Sequence, residues 1–171
     1  YNGGSIEDFS RMTGTAGPDV LYVGDHIFSD VIVSKKKVMW RNLLVVRELV
    51  QEIAAWASIR ADYHRLQNLE FLFAELFRGL DSACGEQPDT GALQRRIKET
   101  VARINRRFSA TFGSLFKAGA KPSFFSMQVQ RYADLYCSDV TRLLSYPCFY
   151  YFSSAPLSLP HEVQMRARLT E

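Results

Sequence analysis

The chain has 171 residues, 47% of them hydrophobic and 23% charged, and its 21 basic and 18 acidic side chains leave a formal charge of +3. Such a length and apolar content suit a folded domain with a core and exclude a disordered chain, while so balanced a charge gives no general argument for nucleic acid or for an anionic membrane. No apolar run approaches the ~20 residues of a membrane span, and no basic flank leads into an apolar stretch near the start. Cys84, Cys137 and Cys148 are too scattered for a disulfide framework or a CxxC metal site, so a soluble cytoplasmic chain with reduced thiols is expected.

Ser5 is placed to cap a short helix through Arg11, with Glu7 and Asp8 favoured at its positive end and Gly14 as its stop. Pro18-Asp19 then leads into Val20-Leu21-Tyr22-Val23, an apolar run of the kind that buried parallel strands show, followed at once by Gly24-Asp25. A helix-length segment, Ser29 to Lys37, separates it from a second such run, Leu43-Leu44-Val45-Val46. Strand, loop, helix, strand reads as a βαβ unit.

From about Val50 the pattern turns helical. Leu66, Leu69, Phe73, Leu76 and Leu80 form one stripe; after Pro88-Asp89-Thr90 restarts the chain, Leu93, Ile97, Val101, Ile104, Phe108 and Leu115 form the next. Gly113, Gly119 and Pro122 break the pattern, and a third helix is expected over Phe125, Val129, Tyr132, Tyr136, Val140 and Leu143, ending at Pro147. The tail from Phe149-Tyr150-Tyr151-Phe152 to Pro160 is aromatic enough to require a packing partner. These patterns place a boundary near Val50, between an α/β piece at 1–50 and a mainly helical region at 51–171.

The sharpest candidate for chemistry is Gly24-Asp25-His26-Ile27-Phe28-Ser29-Asp30 at the end of the first strand. Ligands of open α/β sheets sit at the carboxyl ends of strands, and two hard carboxylates there suit Mg²⁺, which keeps water and substrate phosphate in its shell. Read blandly, Asp25 and Asp30 merely cap the following helix. Lys35, Lys36 and Lys37 can meet phosphates or form a solvated helix end. His26 reads as a packed or hydrogen-bonded neighbour of the motif, and His64 and His161 as structural or surface residues. Arg95, Arg96, Lys98, Arg103, Arg106 and Arg107 lie mostly off the apolar stripe of their helix. With Glu99 among them and no interleaved aromatics, a solvated face is a better reading than a nucleic-acid surface.

Tyr1 through Ser5, Leu21 through Asp30, Ser34-Lys35-Lys36-Lys37 and Trp40-Arg41 together resemble the last acidic motif of the cytosolic purine 5′-nucleotidase family, of the haloacid-dehalogenase type. Gly113-Ser114-Leu115-Phe116, Arg131 through Tyr136 and Leu159-Pro160-His161-Glu162 resemble its C-terminal half. Two places depart from that pattern. Met39 and Asn42 stand where a glycine before the tryptophan and a threonine after the arginine are usual, and Arg47 replaces a proline before Glu48-Leu49.

The resemblance implies the end of a Rossmann-like haloacid-dehalogenase sheet followed by a helical region. It also implies a Mg²⁺-dependent hydrolase of purine nucleoside 5′-monophosphates such as IMP and GMP, able to pass the phosphoryl group to nucleosides. That family's phosphorylated aspartate lies in a DxDxT-type motif, which is absent here; with Tyr1 in place of a start methionine, the nucleophile is expected upstream and the chain alone is expected to be inactive. By the same resemblance Asp25 and Asp30 belong to the metal site. Phe28, Lys36, Gln128, Arg131 and Tyr132 belong to an effector site for adenine nucleotides, with Phe28 stacking the base. The expected partners are the purine nucleotide, the effector, the missing N-terminal part and further copies in a homo-oligomer, without nucleic acid or membrane. The alternative is a catalytically silent relative that serves as an interaction module.

Overall fold

The computed structural model describes residues 4–109, 111–153 and 162. Ser5 starts the first helix: its hydroxyl accepts from the Asp8 amide at 3.1 Å, and Gly14 ends the helix in the left-handed conformation at φ +67. Helix α1 (Ile6–Thr13) carries Phe9 against Trp40, and Trp40 in turn lies 5.8 Å from the ring of Tyr22. This aromatic row ties α1 to the strand that follows.

Strands β1 (Leu21–Gly24) and β2 (Arg41–Val45) pair in parallel, Leu21 opposite Arg41 and Gly24 opposite Leu44. The connection is helical, as the βαβ reading requires, but comes in two pieces: a π-helical segment, Ile27–Val33, and then α2 (Ser34–Val38). Val31 and Ile32 are buried under the sheet. Leu43 and Leu44 are buried as expected. Leu21, Tyr22 and Val23 are 37–46% exposed, because among the described residues β1 is an edge strand with only β2 beside it.

The helix expected over residues 125–143 is overturned. Helix α5 (Phe124–Tyr132) stops at Tyr132, and Leu135–Cys137 forms strand β5, which joins β2 in parallel and gives the sheet order β1-β2-β5. The cause is Asn42, fully buried on β2. Its amide nitrogen donates to the Tyr132 carbonyl at 3.1 Å, and its amide oxygen accepts from the Asp134 N–H at 3.0 Å. Both backbone groups that continued helix would use are thereby satisfied from the side, leaving Ala133 extended and the chain free to enter the sheet.

Between β2 and α5 stand the two long helices, α3 (Leu49–Glu75) and α4 (Gly91–Phe108). They bury Ile59, Leu66 and Ile104, flanked by Trp56, Ile97, Val101 and Phe108, in a core distinct from the one that Val31, Leu44, Val46 and Val129 form at the sheet. A two-residue hairpin, β3 (Lys117–Ala118) and β4 (Lys121–Pro122), links α4 to α5. Leu115, read as the last position of the α4 stripe, lies beyond the helix and packs at the sheet core instead. No described helix is long and apolar enough to cross a membrane.

The chain forms two compact units divided after Val140. In the second, the rings of Tyr146, Tyr150 and Phe152 pack on one another with centroids 4.8–4.9 Å apart, while Phe149 and Tyr151 stay exposed. The rest of the aromatic tail, to Pro160, lies outside the described residues, as does His161.

Met39 ends α2 in the left-handed region at φ +56, ψ +24, with its side chain exposed. An L-residue there carries strain of about 1–2 kcal/mol, against about 0.5–1 kcal/mol of extra unfolded-chain entropy for glycine. Met39→Gly is therefore expected to raise stability by roughly 0.5–1 kcal/mol in urea denaturation; a loss instead would mean that the Met39 side chain contributes packing that outweighs its backbone strain.

Candidate functional site

Asp25 and Asp30 share one loop at the carboxyl end of β1 but do different things. The Asp30 carboxylate folds back, accepting from the His26 N–H at 3.0 Å and from the Ser29 hydroxyl at 3.1 Å. It lies so close to Gly24 that a Cβ on that residue would come within 2.4 Å of it. Gly24 is needed here for room and not for a left-handed backbone. His26 caps the π-helical segment, its Nδ1 accepting from the Ser29 N–H at 3.2 Å, so it is the hydrogen-bonded neighbour that the sequence suggested. His64 is exposed on α3.

Asp25, by contrast, stands exposed on the wall of a cleft of about 560 Å³ that opens beyond the ends of β1 and β2. Glu48, Gln51 and Glu52 at the start of α3 line the same cleft, with Phe108, Phe112 and Phe125 as apolar walls. Glu52 is 5% exposed. It accepts from the Ser114 hydroxyl at 2.9 Å and from the Leu115 N–H, while Ser114 Oγ itself accepts from the amides of Phe116 and Lys117. A buried carboxylate satisfied this way pins the 113–117 turn to α3 and gives the cleft a fixed floor. Sequence reasoning missed Glu52. Its signal was a carboxylate on the helix face that also carries Ala55, Ile59 and Leu66.

Three carboxylates face this cleft and no Lys, Arg or His lines it among the described residues. Hard oxygen donors with uncompensated negative charge fit a divalent cation, and they would repel a bare phosphate. The fit is partial: no group of three or more metal-ligating side chains gathers among the described residues. Asp25 is the exposed carboxylate at the strand end that could donate to such a cation, and Asp30 is the residue that fixes its loop.

The lysine run divides as well. Lys35 is an ion-pair partner, its Nζ 2.6 Å from both carboxylate oxygens of Asp134, which also accepts from Arg41 Nη1 at 3.2 Å and from the Asn42 N–H at 3.0 Å. Burial pushes the Asp134 carboxyl up, but the Lys35 and Asn42 hydrogen bonds and the Lys35 charge outweigh it and hold its pKa below the usual carboxylate range. Lys36 instead lies over the Tyr132 ring, 5.4 Å from its centroid, and the Arg131 guanidinium lies 5.6 Å from the same ring. Phe28 is 61% exposed on the π-helical segment that packs against α5, the helix carrying Gln128, Arg131 and Tyr132. On α4, Arg103 pairs with Asp62 at 2.8 Å, whereas Arg95, Arg96, Lys98, Arg106 and Arg107 stay exposed.

The profile of the 5′ nucleotidase family matches residues 1–164. Over 169 residues the chain is 31% identical to a 5′-nucleotidase domain-containing protein of Dictyostelium discoideum, the match covering 96% of the chain and 28% of that protein. It is 30% identical over 166 residues to 5′-nucleotidase domain-containing protein 2 of Rattus norvegicus and equally to that of Homo sapiens, covering 96% of the chain and 30% and 32% of those proteins. The chain thus spans about a third or less of the length of the curated relatives it matches.

Because the Asp134 pKa is depressed in the fold, its pairing contributes stability that is whole above the usual carboxylate range and is lost as pH falls through the lowered value. Between about pH 5 and about pH 3 the natural protein should therefore lose more unfolding free energy than Asp134→Asn does. Equal acid slopes for the two, followed by urea denaturation, would remove Asp134 from the acid response.

Proposed function

The chain belongs to the 5′ nucleotidase family, and from that premise we propose that it forms the metal-bearing wall of a Mg²⁺-dependent phosphohydrolase acting on purine nucleoside 5′-monophosphates of the IMP and GMP type. The observation that carries this reading is the position of Asp25, exposed at the strand end over a carboxylate-rich cleft. Asp25 is the direct ligand in this reading, and Asp30 supports it by holding the loop. When bound, the cation supplies charge neutralisation for a phosphoryl group in transfer.

The nucleophile comes from elsewhere. A phosphoaspartate route needs an activated carboxylate in the DxDxT-type motif, and cations to hold phosphate, neither of which the cleft wall contains. The unpaired edge of β1, with Leu21, Tyr22 and Val23 exposed on both faces, supports continuation of a Rossmann-like haloacid-dehalogenase sheet in the intact protein. Three free thiols, Cys84, Cys137 and Cys148, suit a reducing cytoplasm.

Two cations from separate helices over one tyrosine ring, beside an exposed phenylalanine, support the regulatory part of the reading. An adenine nucleotide would stack on Phe28 and place its phosphates near Lys36 and Arg131, with Gln128 and Tyr132 completing the clamp. Lys35 has no part in it, being committed to Asp134.

In the intact protein, Asp25→Asn is expected to lower phosphate release from IMP or GMP by about 100-fold or more while leaving the circular dichroism unchanged. The 171-residue chain alone should release none. Unaltered turnover in Asp25→Asn would sink the metal assignment, and an intact protein that hydrolyses no nucleotide would favour a silent interaction module. Separately, Phe28→Ala should abolish the shift in activity that ATP causes in the intact enzyme; an ATP response equal to that of the natural protein would rule out the clamp.

A further inference from the structure

Arg106 and Arg107, in the last turn of α4, are exposed, and neither forms a salt bridge among the described residues. The nearby Asp62 belongs to Arg103, whose hydrogen bond is the main cause of its lowered pKa, and Arg107 adds only a weaker charge effect. Two residues after Arg107 comes Ser109, and Arg106-Arg107-Phe108-Ser109 is the one Arg-Arg-x-Ser run in the chain. Serine kinases of the basic-directed class read this pattern: their acidic pockets hold the two guanidinium groups and so deliver the hydroxyl two residues on to ATP.

The local geometry suits that role. Ser109 ends α4 in the extended conformation, at φ −147 and ψ 133, and is partly exposed. A kinase binds its substrate as an extended segment, so the acceptor residue already has the backbone required, and only the turn bearing Arg106 and Arg107 has to open. Terminal turns are where a helix opens at least cost. The Ser109 hydroxyl oxygen accepts from the N–H groups of Thr111 and Phe112 at 3.4 and 3.2 Å, and both bonds can pass to the oxygens of a phosphate.

Ser109 also lines the carboxylate cleft, with Phe108, Phe112 and Ser114 beside it and Asp25, Glu48 and Glu52 on the same cavity. A phosphoserine carries about 1.5–2 negative charges at neutral pH. In this position it adds them at the negative end of α4, to a cleft that no described Lys, Arg or His lines.

We propose that Ser109 is a phosphorylation site for a basic-directed serine kinase, and that its phosphate closes the cleft to anionic ligands. In the transfer, the Ser109 oxygen forms a bond to the γ-phosphorus of ATP as the bond from that phosphorus to the bridging oxygen breaks. ADP leaves, and the hydroxyl proton passes to the carboxylate base of the kinase. Arg106 and Arg107 recruit the kinase, and the modified Ser109 turns the ligand away by charge. The site itself stands on the arginine run and the local geometry; the closing of the cleft rests on the nucleotidase reading, which makes a nucleoside 5′-monophosphate the ligand excluded.

The test exposes the folded intact protein to MgATP and the catalytic subunit of cyclic-AMP-dependent protein kinase, and locates phosphate by peptide mass spectrometry. Phosphate is expected on Ser109, with an initial rate about tenfold or more lower in Arg106→Ala/Arg107→Ala, whose circular dichroism should be unchanged because both side chains are exposed. No phosphate on Ser109, phosphate there only after denaturation, or an equal rate in the double variant overturns the site. The phosphorylated protein should then show a KM for IMP raised about fivefold or more at unchanged kcat, an effect absent from kinase-treated Ser109→Ala. An unchanged KM overturns the closing of the cleft. Should the intact protein turn over no nucleotide, that half falls with the nucleotidase reading, whereas the mass result decides the modification site in either case.

Discussion

Asn42 sits on the central strand with no exposed surface, and its amide takes over two backbone hydrogen bonds that a longer α5 would have made for itself. A buried amide left half-satisfied would be destabilising by about 1–3 kcal/mol, so the side chain and the 132–134 backbone are fixed together or not at all. From that lock the rest follows in order. Residues 135–137 enter the sheet as its third strand, and Asp134 comes within reach of Lys35 and Arg41. Lys35 anchors α2 against the start of β5, and with α2 held, Lys36 and Arg131 meet over Tyr132. The cluster of Lys36, Arg131 and Tyr132 is thus assembled by a side chain that takes no part in it.

The end of β1 uses the same economy. One carboxylate, Asp30, is consumed in holding the loop shut over Gly24, which leaves the other free of structural duty and facing the cleft. A cation ligand has to be available to the cation, whereas a cap has to be occupied by the backbone; one aspartate cannot do both well. Of the two carboxylates of this motif, Asp30 is the one occupied by its own loop and Asp25 the one left facing the cleft. On the far wall, Glu52 and Ser114 do for α3 what Asp30 does for β1, spending a carboxylate to hold a turn at the cleft floor.

What could be read in the sequence was what depends on neighbours along the chain. The Ser5 cap and the Gly14 stop, the two apolar runs of the βαβ unit and the stripes of α3 and α4 are local or periodic signals, and they appear where expected except at the stripe ends, where Leu76 and Leu80 fall in the turns past Glu75 and Leu115 falls past Phe108. The turn at Tyr132 was illegible because its cause sits 90 residues away on β2, while Phe125, Val129, Tyr132 and Tyr136 keep helical spacing across the break. Period alone cannot distinguish a helix that continues from one whose last groups are satisfied from outside. The same holds for Lys35, which looks like its neighbours Lys36 and Lys37 until Asp134, 99 residues on, is placed beside it. Met39 was visible as an unusual residue in its position. Only the backbone gives the reason, a left-handed turn that suits glycine.

A cleft lined by Asp25, Glu48 and Glu52, with no Lys, Arg or His among the described residues of its wall, carries uncompensated negative charge. Phosphate carries negative charge, and at the short distances of a closed site like charges repel strongly unless something neutral or positive intervenes. Under the proposed function, a cation between these carboxylates and a phosphate is what keeps the two from opposing each other. Strand β1 leaves Leu21, Tyr22 and Val23 exposed just where Gly24 and Asp25 begin the cleft wall.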